Sequence, residues 1–119
     1  MLNLTVIAVG RLNAAYYKQA AAEYEKRLSA FCKVHVIELA EEAIAEKNAS
    51  PAVIEKALEK EGKAILAAVP KGAVLTALCV EGRQLSSEAL AHRLSEWAVS
   101  GVSCAAFAIG SSHGLSPQV

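Results

Sequence analysis

Two apolar runs, each almost free of polar residues, constrain the fold of this 119-residue chain more than any other feature. The first extends from Ala73 to Val80 and the second from Val102 to Ile109. Such runs are typical of central strands in a parallel sheet, where helices cover both faces. They therefore predict a buried parallel sheet, to which the other segments add strands or covering helices.

Two more segments are predicted to be strands. Residues Leu2 to Val9 alternate along the chain in the manner of a strand, and Val34 to Leu39 form a second short run. Lys33 and His35 alternate with valines at the start of that second run. This pattern indicates that the second strand has a solvated face or lies near a sheet edge.

Three amphipathic segments lie between the strands and are predicted to be helices. The first extends from about Ala14 to Ala30, the second from the cap Ser50 to about Ala68, and the third begins at the cap Ser86. The residues predicted to face inward are Tyr17, Ala21, Tyr24, Leu28 and Phe31 in the first helix, Ile54, Leu58 and Ile65 in the second, and Leu90, Leu94 and Trp97 in the third.

Strands and helices thus alternate strictly, and each strand–helix–strand unit can form a right-handed parallel crossover. Residues 1–119 contain no internal repeat and no interdomain linker. The sequence therefore predicts a single three-layer α/β domain. Ser116 and Pro117 have the pattern of a helix start, but the chain ends at Val119. We therefore expect the domain to be cut off after its fourth strand.

Composition excludes some classes of protein. Twelve basic residues balance twelve acidic ones, so net charge provides no argument for nucleic-acid binding. Cys32, Cys79 and Cys104 are widely spaced, which predicts buried free thiols in the cytoplasm and no metal site. No apolar run reaches the roughly 18 residues that span a membrane.

The richest candidate site follows the fourth predicted strand. Gly110 and Gly114 flank a short loop that leads to the helix-start pattern, an arrangement that can bind an anionic ligand or a cofactor. The loop has neither the Lys-Ser/Thr of a Walker A motif nor the GxGxxG fingerprint of a dinucleotide site. The alternative remains open that these glycines only turn the strand toward a helix.

Other polar residues are weaker candidates. Arg83 follows the third strand in a Glu81-Gly82-Arg83 turn, where it either binds a phosphate or is simply solvated. His113 and Glu81 border the predicted pocket, but neither is assigned as a catalytic base. Ser111 and Ser112 have no histidine–acid pair placed to activate them, which disfavours serine hydrolysis.

Five stretches together resemble the RlmH-type ribosomal RNA methyltransferases of the SPOUT superfamily, and they occur in the family's order along the whole chain. The stretches are Val6–Leu12, Ala22–Leu28, Glu59–Gly62, Leu78–Ser87 and Ile109–Leu115.

The resemblance implies a trefoil-knotted α/β fold, a cytoplasmic homodimer and S-adenosylmethionine as the methyl donor. It implies methylation of N3 of a pseudouridine in 23S rRNA within the assembled ribosome. It also implies that Leu78 and Gly110 bind the cofactor, and we extend this predicted site to Ser111 and Gly114. On this basis we expect Gly110→Val to abolish cofactor binding while the fold survives.

Two departures from the family pattern accompany the resemblance. Ser111 stands where many members have a second glycine, which matters if the backbone φ is positive there. The family's knot crossing, adenine-binding loop and much of its dimer interface have no counterpart before Val119, so this chain alone is expected to be inactive if it is a fragment. Alternative functions are a non-catalytic nucleotide- or phosphate-binding module and an RNA-binding role without chemistry.

Overall fold

The computed structural model describes residues 2–10, 14–42, 50–79, 81–111, 114–116 and 119. Within them, helices and strands alternate in the predicted order. Predicted positions Val80, Ser112, His113 and Pro117 lie outside the described residues. The elements are β1 (Leu2–Val9), α1 (Ala15–Leu28), β2 (Cys32–Leu39), α2 (Pro51–Ala68), β3 (Val74–Leu78), α3 (Ser87–Val99) and β4 (Cys104–Ile109).

Side-chain caps begin two of the helices, as predicted. The Ser50 hydroxyl accepts a hydrogen bond from the Val53 N–H at 3.3 Å at the start of α2. The Ser86 hydroxyl accepts one from the Ala89 N–H at 3.0 Å at the start of α3. Each cap satisfies a donor that the first helical turn would otherwise leave unpaired.

The described strands form one parallel sheet in the order β2-β1-β4-β3. β2 lies at an edge, as its alternating Lys33 and His35 predicted. The expectation that both long apolar runs are central strands is wrong for β3, which pairs only with β4 among the described strands. An apolar run indicates that both faces of a strand are covered, whereas the position of the strand in the sheet depends on the crossover connections.

Strand register divides the sheet into two apolar faces. Ile7 pairs with Ile37 and Ala108, and their face packs against Ile65 of α2. The neighbouring position Val6 points to the opposite face, which α1 and α3 share. The connections from β1 to β2 and from β3 to β4 cross the sheet in the same direction, with α1 and α3 on the same face. The step β2 to β3 runs the other way with α2 on the other face, so all three crossovers have the same hand.

The fully packed core lies on the α2 side of the sheet. It consists of Ile7, Val9, Ile65, Ala106 and Ala108. Neither α1 nor α3 has a buried residue among those described. On the third helix the predicted inward residues Leu90, Leu94 and Trp97 are half-buried, which agrees with the predicted stripe.

The stripe predicted for the first helix faces the sheet through Ala21, Tyr24 and Leu28, which line a cleft there, but it is not buried. Tyr24 is 63% exposed, Phe31 is 77% exposed, and Tyr17 is exposed as well. Helical periodicity identifies residues that share a face, but it does not supply a surface that covers them. Here the helix lies above a cleft and leaves this stripe largely in contact with solvent.

The three cysteines are free but differ in burial. Cys32 is buried and Cys104 is half-buried, in line with the sequence. Cys79 is exposed, contrary to expectation, because β3 ends at Leu78 and the thiol lies in the following turn. No helix in the described part of the chain is long and apolar enough to cross a membrane.

Ile65 should be the side chain of α2 on which stability depends most, because it is fully buried in the core cluster. We expect Ile65→Ala to lower the free energy of unfolding by about 2–5 kcal/mol. The matched control is Leu66→Ala on the same helix, where the side chain is 43% exposed. Its expected cost is below about 1 kcal/mol. Equal losses of unfolding free energy in the two variants, measured by urea denaturation, would contradict the burial of Ile65 in the core.

Candidate functional site at the carboxyl edge of the sheet

The main predicted site residues lie at the carboxyl edge of the sheet. Leu78 ends β3 and pairs with Ile109 at the end of β4, so Gly110 follows immediately beside it. Parallel strands present their carboxyl ends at one edge, where ligands of open α/β sheets bind. The structure therefore brings together the two segments that the sequence singled out.

A tight turn closes the loop after β4. The Gly114 N–H donates to the Ser111 carbonyl oxygen at 2.9 Å, and these residues also form an isolated antiparallel bridge. Gly114 adopts φ +92°, a left-handed conformation that favours glycine. No described residue other than glycine has a positive φ, so the serine at position 111 fits its backbone without strain.

Position 110 must be a glycine because the chain at Gly114 and Leu115 folds back against it. A Cβ at this position would lie 2.7 Å from the Gly114 carbonyl carbon and 2.9 Å from Leu115 Cγ, and it would also collide with the Gly114 carbonyl oxygen. Gly110→Val would therefore disturb this loop by crowding alone, whereas survival of the fold in that variant stays a prediction. Gly110 has a structural reason to be glycine, whatever it binds.

Sequence reasoning did not identify Glu61 as a site residue. Its carboxylate accepts a hydrogen bond from the Ser111 hydroxyl through Oε1 and one from the Glu42 N–H through Oε2, each at 2.9 Å. A signal was available, because position 61 falls at helical spacing between the inward-facing Leu58 and Ile65. A glutamate within an apolar stripe is rarely buried unless it has partners.

The segment after the glycine loop docks on the same turn of α2. A Cβ on Gly62 would lie 2.9 Å from Ser116 Cβ, so the glycine permits this close contact. Ser116, predicted as a helix cap, is buried, and Leu115 packs against the core. Glu61 and Gly62 therefore form the contact point on α2 for Ser111 and Ser116.

A cleft of about 820 Å³ lies between α1 and the sheet and opens at the carboxyl edge. Gly10, Glu41 and Ser111 line it at that edge. After β1 the chain continues to the α1 face, whereas after β4 it continues to the α2 face, where Leu115 packs. Neighbouring strands whose continuations diverge in this way define the usual crevice for a ligand.

A second cleft, of about 570 Å³, lies beside β3 and the start of α3. It is lined by Leu78, Arg83 and Phe107, whereas Gly110 and Ser111 line the first cleft. The predicted cofactor residues are thus adjacent along one edge but face two different clefts.

The Glu81-Gly82-Arg83 turn has a structural explanation for its glycine. The Gly82 N–H donates to the Cys79 carbonyl oxygen at 3.1 Å, and a Cβ on Gly82 would lie 3.1 Å from that oxygen. Arg83 is exposed at the second cleft. In the described part of the chain, no group of three or more His, Cys, Asp or Glu side chains could hold a metal ion.

The fold and its carboxyl edge together define an α/β domain with a parallel sheet and a glycine loop after a central strand. Residues 2–119 match the family described as "Predicted SPOUT methyltransferase". The chain belongs to the SPOUT methyltransferase family, as the resemblance predicted.

Two relatives, both named "Ribosomal RNA large subunit methyltransferase H", are similar to nearly the whole chain. The protein of Bifidobacterium animalis subsp. lactis (strain AD011) is 45% identical over 118 residues, which cover 99% of this chain and 74% of the relative. The protein of Ligilactobacillus salivarius (strain UCC118) is 44% identical over 118 residues, with the same coverage of each chain.

Gly110→Ala tests the close approach within the loop. We expect a loss of about 1–3 kcal/mol of stability, because the added methyl group meets backbone atoms that have nowhere to move. Hydrogen exchange of the Gly114 amide should accelerate as its bond to Ser111 weakens. Gly101→Ala is the control, since its φ is +87° but no atom lies within 4 Å of its Cβ. Gly101→Ala should lower stability but leave the hydrogen-exchange protection of the Gly114 amide unchanged. If Gly110→Ala also left that protection unchanged, the close contact between Gly110 and Gly114 would be contradicted.

Proposed function

We propose that this chain is an S-adenosylmethionine-dependent methyltransferase that acts on N3 of a pseudouridine in 23S ribosomal RNA. The observation that carries this proposal is the identity of 45% and 44%, across 118 residues, to two relatives named as ribosomal RNA large subunit methyltransferases. The proposal includes the assembled ribosome as substrate, a homodimer and a cytoplasmic location.

The carboxyl edge has the chemical character that the cofactor requires. Leu78 is 52% exposed, and Leu85 and Ile109 are exposed as well. Leu78 and Ile109 are register partners, and Leu85 lines the same cleft as Leu78. Exposed apolar side chains clustered at a sheet edge suit the apolar face of an adenosyl group.

We assign Leu78, Gly110, Ser111 and Gly114 to cofactor binding. Leu78 provides an apolar wall, and the loop from Gly110 to Gly114 provides backbone donors and acceptors beside it. When bound, S-adenosylmethionine supplies an electrophilic methyl group on a sulfonium. The residues of this edge hold the methyl donor and the acceptor nitrogen in line and exclude water. Such alignment supplies much of the rate enhancement of a displacement reaction.

Cofactor binding is tested by calorimetric titration of the chain with S-adenosylhomocysteine, with ATP as the control ligand. We expect binding of S-adenosylhomocysteine alone. Leu78→Ser should weaken it about tenfold, because the variant removes apolar contact area. Leu66→Ser, at another exposed leucine on α2, should leave the affinity unchanged.

Two outcomes of this titration would contradict the proposal. Equal affinity for ATP and S-adenosylhomocysteine would favour the nucleotide-binding module. An unchanged affinity in Leu78→Ser would remove Leu78 from the cofactor site even if the wild-type chain binds.

The RNA substrate is tested by transfer of a radiolabelled methyl group to purified ribosomes, with the chain and with a form extended to the relatives' length if the gene encodes one. We expect label in 23S rRNA of assembled ribosomes that contain pseudouridine. Ribosomes from a strain that lacks the pseudouridine should accept at least about tenfold less label, because uridine lacks the N1–H donor by which a site can recognise pseudouridine. Equal labelling of both would exclude pseudouridine specificity.

A further inference from the structure

We infer that Glu61 is a positioning residue that holds the Gly110–Gly114 loop in its cofactor-binding conformation. The inference rests on the proposed function, since it concerns the loop assigned to the cofactor. Glu61 itself is on α2 and lines neither of the two clefts described at the edge. Its effect on binding would therefore pass through Ser111.

The Glu61 side chain is buried and fully engaged. The residue is only 5% exposed, and each of its two carboxylate oxygens accepts a hydrogen bond of 2.9 Å. A buried carboxylate is costly unless such partners compensate for lost hydration. Hydrogen bonds to a charged acceptor are also stronger and more directional than apolar contacts. Glu61 therefore specifies where its partners lie, which a leucine at the same position would not do.

The two partners of Glu61 belong to the loops that follow β2 and β4. Those strands are the two neighbours of β1 in the sheet, so the loops lie on either side of the end of β1 at Gly10. Glu41, next to the Glu42 that Glu61 binds, and Ser111 both line the cleft there. One carboxylate thus sets the positions of both sides of the crevice.

A neighbouring residue of α2 strengthens this attachment. Lys60 Nζ lies 3.3 Å from Glu42 Oε1, while Glu61 binds the Glu42 backbone. On the other side, Ser111 is held through its hydroxyl, and its carbonyl oxygen in turn accepts the Gly114 N–H. The constraint from Glu61 therefore reaches the far end of the glycine loop in two hydrogen bonds.

The test compares four single variants in S-adenosylhomocysteine affinity and in hydrogen exchange of the Glu42 and Gly114 amides. Glu61→Ala should weaken binding about tenfold or more, because two charge-assisted hydrogen bonds are lost. Glu61→Gln should restore most of the affinity, since its amide can accept from Glu42 and donate to the Ser111 oxygen. Ser111→Ala should have an intermediate effect. Glu59→Ala, an exposed glutamate on the same helix, is the matched control and should bind as wild type does.

A double variant separates positioning from general stability. The cofactor assignment of Ser111 concerns its backbone, whereas its hydroxyl binds Glu61. If that hydroxyl acts only through Glu61, then Ser111→Ala should have no further effect on affinity in the Glu61→Ala background. If Glu61→Ala does not fold, Glu61→Gln and Ser111→Ala still decide the matter. In that case affinity should fall about threefold or more in Ser111→Ala and little in Glu61→Gln.

Each result bears on one proposal or the other. Wild-type affinity in a folded Glu61→Ala protein, or in Ser111→Ala, would overturn the inference while the cofactor proposal stands. Fully additive losses in the double variant would also overturn it. If the wild-type chain does not bind S-adenosylhomocysteine, the cofactor proposal fails. Hydrogen exchange then tests by itself whether Glu61 holds the two loops. Unchanged protection of the Glu42 and Gly114 amides in Glu61→Ala would refute that role.

Discussion

The two hydrogen bonds of the Glu61 carboxylate are the interaction on which the carboxyl edge of the sheet depends. It lies within the apolar stripe of α2 and accepts hydrogen bonds from the loops after β2 and β4. Further contacts add to this attachment, since Lys60 lies 3.3 Å from the Glu42 carboxylate and Leu115 packs against the core. Because a buried charge requires its partners, the same group that is costly to bury also fixes the geometry of the loops.

Packing on the two faces of the sheet is unequal, and this inequality places the clefts. α2 supplies the fully buried Ile65 and receives the segment after the glycine loop through Gly62. On the other face, α1 and α3 have no buried residue among those described, and both clefts lie there. One face thus supplies the rigid support, while the other supplies the space in which a ligand can bind.

Much of the fold could be predicted because helix caps and hydrophobic periodicity depend on residues that are close together in sequence. Serine caps at Ser50 and Ser86 identified helix starts. The alternation at Lys33 and His35 indicated a strand with a solvated face or a position near an edge, and the structure places that strand at an edge. The placement of Leu78 with the glycine loop in one site followed from the family resemblance. Burial of α1 was not predictable in the same way, because its apolar stripe needs a covering surface that periodicity cannot reveal.

By itself, the sequence determined the class of domain, the order and approximate bounds of its elements, and the family to which it belongs. These follow from short-range patterns and from motifs in order along the chain. Only the tertiary structure decided that β3 lies at an edge, that Gly110 must be glycine because Gly114 folds onto it, and that Glu61 joins two loops. The strand neighbours of β3 and the bonds of Glu61 depend on residues distant in sequence, 50 positions apart for Glu61 and Ser111, and no local pattern encodes such contacts. The contact between Gly110 and Gly114 is local, but it depends on the backbone path of the loop, which the spacing of two glycines does not specify.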